Sequence, residues 1–187
     1  FDLSSATGLE MNFDERAKAE FLSNEYKTEH YEVVLKAQRA GIACIKPGIS
    51  WAFIQQTMVR ILTIGLCDLG LLKGNVDDLI EQGAYKVFYM HNSGHWLGLD
   101  VHDMEDLGDV AGYEPGRTRS DRFGLGYLRL NRPLQSGMLV TIEPGFYQVP
   151  AILQDDNFRA KYQDIVDIRI KIKIKVILIF YKIPVYL

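Results

Sequence analysis

The sequence predicts an α+β protein, in which a curved, mostly antiparallel sheet is backed by helices. Three observations carry this. The first half has helical spacing with helix-start and helix-stop residues, and the second half, after Tyr85, changes to short alternating stretches. Those stretches also hold the polar cluster: three of the four histidines, His91, His95 and His102, lie within His91-Asn-Ser-Gly-His-Trp-Leu-Gly-Leu-Asp-Val-His-Asp103.

The elements follow in order. A helix is predicted over Phe21 to Ile45, with Tyr31, Val34, Leu35 and Gln38 on neighbouring turns and Ser23 or Asn24 placed to cap its start. Lys46-Pro-Gly48 stops it, and Ser50 is a ready N-cap for a second helix from Trp51 to about Leu69. There Ala52, Thr57, Val59 and Ile61 make no clean stripe, so burial on more than one side is expected. Gly74-Asn75 opens a short third helix through Leu79 and Ile80 that ends near Gly83. His95 to Val101 and Met138 to Glu143 alternate and are short enough for strands. Glu105 to Asn131 is rich in Gly, Asp and Arg without a clear period and reads as a long functional loop. Ile168 to Val176 alternates strictly, as an edge strand showing lysines to water would. The expected organisation is one catalytic unit over 1–167 and an atypical Ile/Lys-rich tail over 168–187.

Composition narrows the function. A net charge of −3 without a long basic block argues against nucleic acid as a partner. The longest late apolar run, Val176 to Tyr181, is far short of a membrane span, so no membrane partner is expected. Two cysteines, Cys44 and Cys67, read as buried free thiols of a reducing compartment, which points to the cytoplasm. The start, Phe1-Asp-Leu-Ser4, reads as that of a fragment.

Imidazole binds metals and trades protons near neutral pH without a large perturbation, so the histidine cluster is the first candidate site. His91 and His95 are four apart, but Ser93-Gly94 between them disfavours a helix. His95 is the best candidate for a metal ligand. His91 and His102 suit substrate-side roles, donating to a carbonyl or a developing charge. Glu143 sits in an apolar strand with Pro144 holding it extended. A buried carboxylate costs several kcal/mol without a partner, so a metal or an arginine is expected beside it. One imidazole with carboxylate oxygens suits Mn²⁺, Co²⁺, Fe²⁺ or Zn²⁺, and two such ions hold a hydroxide and polarise a carbonyl for hydrolysis. Asp100 and Asp103 flank His102 and either orient it or are solvated. Arg117, Arg119 and Arg122 either bind a substrate carboxylate or hold the loop by ion pairs. Trp51 and Trp96 are core candidates, with Trp96 also placed to wall a small apolar pocket.

Together the motifs resemble the Xaa-Pro aminopeptidase and prolidase branch of the pita-bread metallopeptidases. His91-x-x-x-His95-Trp-Leu-Gly-Leu-Asp-Val-His102-Asp and Thr141-Ile-Glu-Pro-Gly-Phe-Tyr147 are similar to its two central signatures. Arg132-Pro-Leu-Gln-Ser-Gly-Met138, Tyr31 to Gln38 and Ile45 to Trp51 match the segments around them. The resemblance runs from about Phe21 to Asp164 and favours aminopeptidase P over methionine aminopeptidase. It implies two pseudo-symmetric halves around a dinuclear Mn²⁺ centre held by two aspartates, a histidine and two glutamates. It implies release of the N-terminal residue from peptides with proline second, and it is compatible with a homo-oligomer. His95 matches the ligand histidine, and Glu143 the first ligand glutamate, which also moves the proton. His91 and His102 match the two catalytic histidines that contact substrate and support the tetrahedral intermediate.

Both ends depart from the pattern. The family's aspartates are eleven apart, whereas Asp2 and Asp14 are twelve apart and Asn12 lies nearer the second position. Ile168-Arg-Ile-Lys171 puts lysine where the last glutamate belongs. The fold is therefore expected to be incomplete at both ends, with activity impaired. The rival reading is a catalytically silent fragment or binding module, and a weaker one is a creatinase-like hydrolase that works without metal.

Overall fold

The computed structural model describes residues 25–91, 93–121, 126, 128–167, 178–180 and 183–187. Helix α1 is Glu25–Ala43, and it buries Tyr31, Val34, Leu35 and Gln38 as their spacing requires. The caps expected at Ser23 or Asn24 fall outside the described residues. Helix α2, Trp51–Asp68, starts at Ser50, whose hydroxyl oxygen accepts from the Phe53 amide at 3.3 Å. Helix α3, Val76–Gln82, is closed at both ends by the expected residues. Asn75 accepts from the Asp77 and Asp78 amides, and Gly83 takes the left-handed conformation at φ 71° that a side chain would resist.

One expectation for α2 is corrected. Its buried face is a single stripe, Trp51, Ile54, Gln55, Met58, Val59, Leu62, Thr63 and Leu66, at the three- and four-residue spacing of one helix side. Ala52, Thr57 and Ile61 lie on its flanks, half-buried. Thr63 belongs to the stripe because its hydroxyl donates to the Val59 carbonyl at 2.7 Å, which removes the cost of burying it. Helices α1 and α2 meet closely: a Cβ built on Gly65 would stand 2.3 Å from a Val33 methyl, and one on Gly41 would stand 2.6 Å from the Met58 sulfur.

Strand β1, Leu139–Ile142, and strand β2, Gly145–Tyr147, are separated by Glu143-Pro144. Strand β3, Leu178–Phe180, pairs antiparallel with β2, and strand β4, Ile183–Tyr186, pairs antiparallel with β1. The described part of the tail thus adds its strands to those flanking Glu143. Helix α1 lies against β1, β2 and β3, where Gln38 Nε2 donates to the Ile142 carbonyl at 3.5 Å. The core joins Val34, Trp51, Met58 and Leu62 to Phe88, Tyr89, Val140, Ile142 and Phe146.

The strand expected over His95–Val101 is not formed along its length. His95 to Leu97 run antiparallel to β1, with Thr141 N donating to His95 O at 3.0 Å and Leu97 N to Leu139 O at 3.1 Å. Leu139 is the first residue of β1, so the ladder has no partner beyond Leu97 and the chain turns at Gly98. Leu99 and Val101 are exposed as a result. Among its described residues, the region from Glu105 to Asn131 contains a 3₁₀ turn, Glu105–Leu107, and a one-turn helix α4, Asp109–Gly112. Two further short helices, α5 (Pro150–Gln154) and α6 (Asp156–Tyr162), follow β2. Cys44 and Cys67 are free, as expected, but half-buried. Among the described residues no helix is long and apolar enough to cross a membrane.

Candidate functional site

The site is built where the segment Ser93–Leu97 lies along β1. Ser93 is held from below by α2, its amide donating to Gln55 Oε1 at 3.1 Å. Its carbonyl accepts from the Glu143 amide at 2.6 Å, and the His95 amide donates to Thr141 Oγ1 at 3.0 Å. Gly94 lets these backbones approach, since a Cβ there would sit 1.9 Å from the Thr141 carbonyl oxygen. Strand pairing of this kind puts His95 and Glu143 on the same face, and their side chains meet: His95 Nε2 is 2.9 Å from Glu143 Oε1, and both are buried.

The other ring nitrogen explains the chemistry of that contact. His95 Nδ1 is 2.6 Å from the Trp96 carbonyl oxygen, and a carbonyl only accepts, so Nδ1 carries a proton. In a neutral ring Nε2 is then a lone pair aimed at a carboxylate oxygen. Two acceptors at 2.9 Å need a proton or a cation between them. An imidazole nitrogen and a carboxylate oxygen converging in a buried site are a donor set suited to a divalent first-row metal, so His95 and Glu143 fit such an ion. Among the described residues no group of three or more His, Cys, Asp or Glu side chains is arranged so that it could hold a metal ion. Asp2, Asp14 and Lys171 fall outside the described residues.

His102 stands beside this pair, its ring edge-on to that of His95 with centroids 4.2 Å apart. The turn at Gly98 brings it there, although its seven-residue separation would point it away from His95 in a strand. His91 occupies a different wall. Its ring is edge-on to Tyr89 and to Tyr147, each at 4.9 Å, and a Cβ on Gly145 would come within 3.1 Å of its Nε2. The Tyr89 hydroxyl donates to the Glu143 carbonyl at 3.4 Å. Burial pushes the Tyr89 and Tyr147 hydroxyls far above the usual tyrosine range, and the Glu143 carboxylate adds to both shifts.

The remaining candidates separate. Asp103 folds back on its own turn, accepting from the Asp100 amide at 3.5 Å and filling the space over Gly98, while Asp100 is exposed. Arg119 pairs with Asp109, and Arg117 lies 3.5 Å from Glu114, so these two arginines hold the loop together. Arg119 holds the Asp109 carboxyl below the usual range through its backbone and side-chain N–H groups. Arg122 falls outside the described residues. Trp51 is fully buried core, and Trp96 lines a hollow with His95, His102, Met104 and Arg129.

Two residues at the site were missed in the sequence. Glu105 Oε2 is 3.0 Å from His102 Nδ1, and Arg129 NH1 is 3.0 Å from the same nitrogen. Glu105 lies beyond the aspartates that flank His102, and its spacing of three from His102 is the signal in the sequence. Arg129 carried one faint signal, a single charge between Leu128 and Leu130.

Known proteins resemble this chain in sequence and fold. The model of metallopeptidase family M24 matches residues 17–174. The Xaa-Pro aminopeptidase of Haemophilus influenzae is 44% identical over 137 residues, 73% of this chain and 26% of that protein. The human Xaa-Pro dipeptidase is 40% identical over 135 residues, 71% of this chain and 26% of that protein. Among solved structures, the Pseudomonas aeruginosa aminopeptidase PepP superposes with a TM-score of 0.55 at 36% identity, covering 87% of this chain and 30% of that one. The chain therefore spans about a quarter of the length of the curated relatives it matches. On its motifs, its fold and these matches, the chain belongs to metallopeptidase family M24 and has the family's pita-bread fold, in part.

Proposed function

We propose that this site belongs to a metal-dependent aminopeptidase that releases the N-terminal residue from peptides with proline in second position. The observation that carries the reading is the buried His95–Glu143 contact with His102 against it. Its support is the family membership and the names of the relatives, an Xaa-Pro aminopeptidase and an Xaa-Pro dipeptidase. His95 Nε2 and Glu143 Oε1 would hold a divalent ion, for which Mn²⁺ is the first choice and Co²⁺, Fe²⁺ or Zn²⁺ are alternatives. Such an ion supplies Lewis-acid polarisation of the scissile carbonyl. Glu143, buried in a dry setting, takes a proton from the attacking water and passes it to the leaving proline nitrogen. His102 and His91 donate N–H groups to the substrate carbonyl as it gains negative charge. Trp96 and the wall around it exclude bulk water.

In this reading the catalytic unit spans 1–167 and 168–187 is the atypical tail. With Asp2 and Asp14 out of the family's spacing and Lys171 in the place of a glutamate, the carboxylate charge is too small for two ions. Turnover is therefore low. The two free thiols favour a reducing, cytoplasmic setting. The test is release of the first residue from an Xaa-Pro peptide by Mn²⁺-loaded protein, beside the same peptide with alanine for proline. Slow, chelator-sensitive release that requires proline is expected. No release in any divalent metal would instead favour the catalytically silent fragment.

A further inference from the structure

We propose that Gln55, on the buried face of α2, is a positioning residue for Glu143 and acts on it through Ser93. This rests on reading Glu143 as the carboxylate that faces the metal and moves the proton. It deepens that reading by naming the side chain outside the sheet that sets where Glu143 stands.

The segment Ser93–Leu97 and β1 share one antiparallel register. Thr141 N donates to His95 O and Leu97 N to Leu139 O, and these two bonds frame the bridge between Trp96 and Val140. Carried two residues further, the same register sets Ser93 opposite Glu143. Residues opposed in a hydrogen-bonded antiparallel pair exchange two bonds, each N–H going to the other's carbonyl. Here one half of the exchange is made, with Glu143 N donating to Ser93 O at 2.6 Å. The other half is divided between two side chains from outside the ladder. Ser93 N donates to Gln55 Oε1 at 3.1 Å, and Glu143 O accepts from the Tyr89 hydroxyl at 3.4 Å.

Of these two, Gln55 makes the shorter bond and stands on the more rigid element. Glu143 lies between β1 and β2, and Pro144 after it has no N–H to continue the ladder. Its tie to the paired segment is therefore the one bond to Ser93 O, and Gly94, next in the chain, brings no side chain to pin that peptide. Ser93 is fully buried, so its N–H needs an acceptor from the protein. Gln55 is buried in the apolar stripe of α2 and reaches out of it. An N–H is met only by the carbonyl end of a side-chain amide, so Oε1 faces Ser93. Its Nε2 has no acceptor among the described residues, which leaves Oε1 as the end in use. The helix thus holds Ser93 N, Ser93 holds Glu143 N, and the carboxylate is delivered to His95.

The test is amide hydrogen exchange, read by NMR on the metal-free protein, in the parent and in Gln55→Met, Gln55→Asn and Gln55→Glu. Methionine removes the acceptor, asparagine draws it back by one methylene, and glutamate keeps an oxygen at the same reach. The Glu143 amide is compared with those of Leu97 and Thr141 in the same ladder. In Gln55→Met and Gln55→Asn, exchange at Glu143 should rise by about tenfold relative to the other two, the scale of losing one hydrogen bond. Gln55→Glu should restore the parental ratio. An unchanged ratio in Gln55→Met, or equal acceleration of all three amides, would overturn the proposal by leaving Gln55 a merely structural residue. Gln55→Glu behaving like Gln55→Met would overturn it too. Should Gln55→Met fail to fold, the asparagine and glutamate variants decide. Mn²⁺ affinity is then measured on the same proteins, with weaker binding expected in Gln55→Met and Gln55→Asn, and parental affinity in both would contradict the proposal. A parent that binds no Mn²⁺ would count against the function proposed above, and the exchange ratios would still decide the role of Gln55.

Discussion

At Glu143 two demands meet on one side chain, since it faces His95 Nε2 at 2.9 Å and is also the group proposed to move the proton. Glu143→Gln keeps the shape and removes both the charge and the basic oxygen. Turnover of an Xaa-Pro peptide should fall by about 10²-fold or more, the scale of losing a general acid–base group. A glutamine variant as active as the parent would make Glu143 a structural residue. Tyr147 offers a pH test of the same neighbourhood. Its hydroxyl is held above the ordinary value of 10.0 first by burial and then by Glu143. A raised folded pKa means the unfolded chain loses its proton first, so this stabilisation is intact below about pH 10 and drains away above it. Tyr147→Phe should therefore flatten the alkaline fall in the urea midpoint, and an unchanged slope above pH 10 would show that Tyr147 is not the group responsible. The place of the site was readable where composition marks it, as with His95 and Glu143, which meet at 2.9 Å. It is not readable where it depends on a turn: Asp100 and Asp103 flank His102 in sequence, and the fold sets Glu105 and Arg129 against its ring instead.

Helix ends were the most legible elements because each is fixed by one local residue: Ser50 at the start of α2, Asn75 and Gly83 around α3. The stretch after His95 was not, because alternation describes a strand only when a partner runs beside it. Here β1 begins at Leu139, so pairing ends at Leu97 and the remaining alternation is exposed turn. The same pairing makes Gly94 the most sensitive position in this element. Gly94→Ala puts a methyl 1.9 Å from the Thr141 carbonyl, a backbone atom that cannot rotate away. Overpacking of this sort costs about 1–3 kcal/mol, and here it also pushes His95 from Glu143. We expect a lower urea midpoint together with weakened metal binding. A variant with parental stability and parental metal affinity would mean that this backbone contact does not set the site.

Among the described residues, the helices α1 and α2 form the floor, the strands around Glu143 form the wall, and Glu105 and Arg129 close one side beside His102. Fold class was visible from the switch of period at Tyr85, whereas the share of the tail in the sheet was not, since β3 and β4 carry no turn signal that separates them from the alternating run before them. The central claim is that His95 and Glu143 are the metal-holding pair and that His102 serves the substrate. The most direct measurement is the number and affinity of Mn²⁺ ions bound per chain by the parent, His95→Ala and His102→Ala. The account predicts at most one weakly held ion in the parent, none in His95→Ala, and parental binding in His102→Ala. Two tightly bound ions in the parent, or equal loss of metal in both variants, would contradict it.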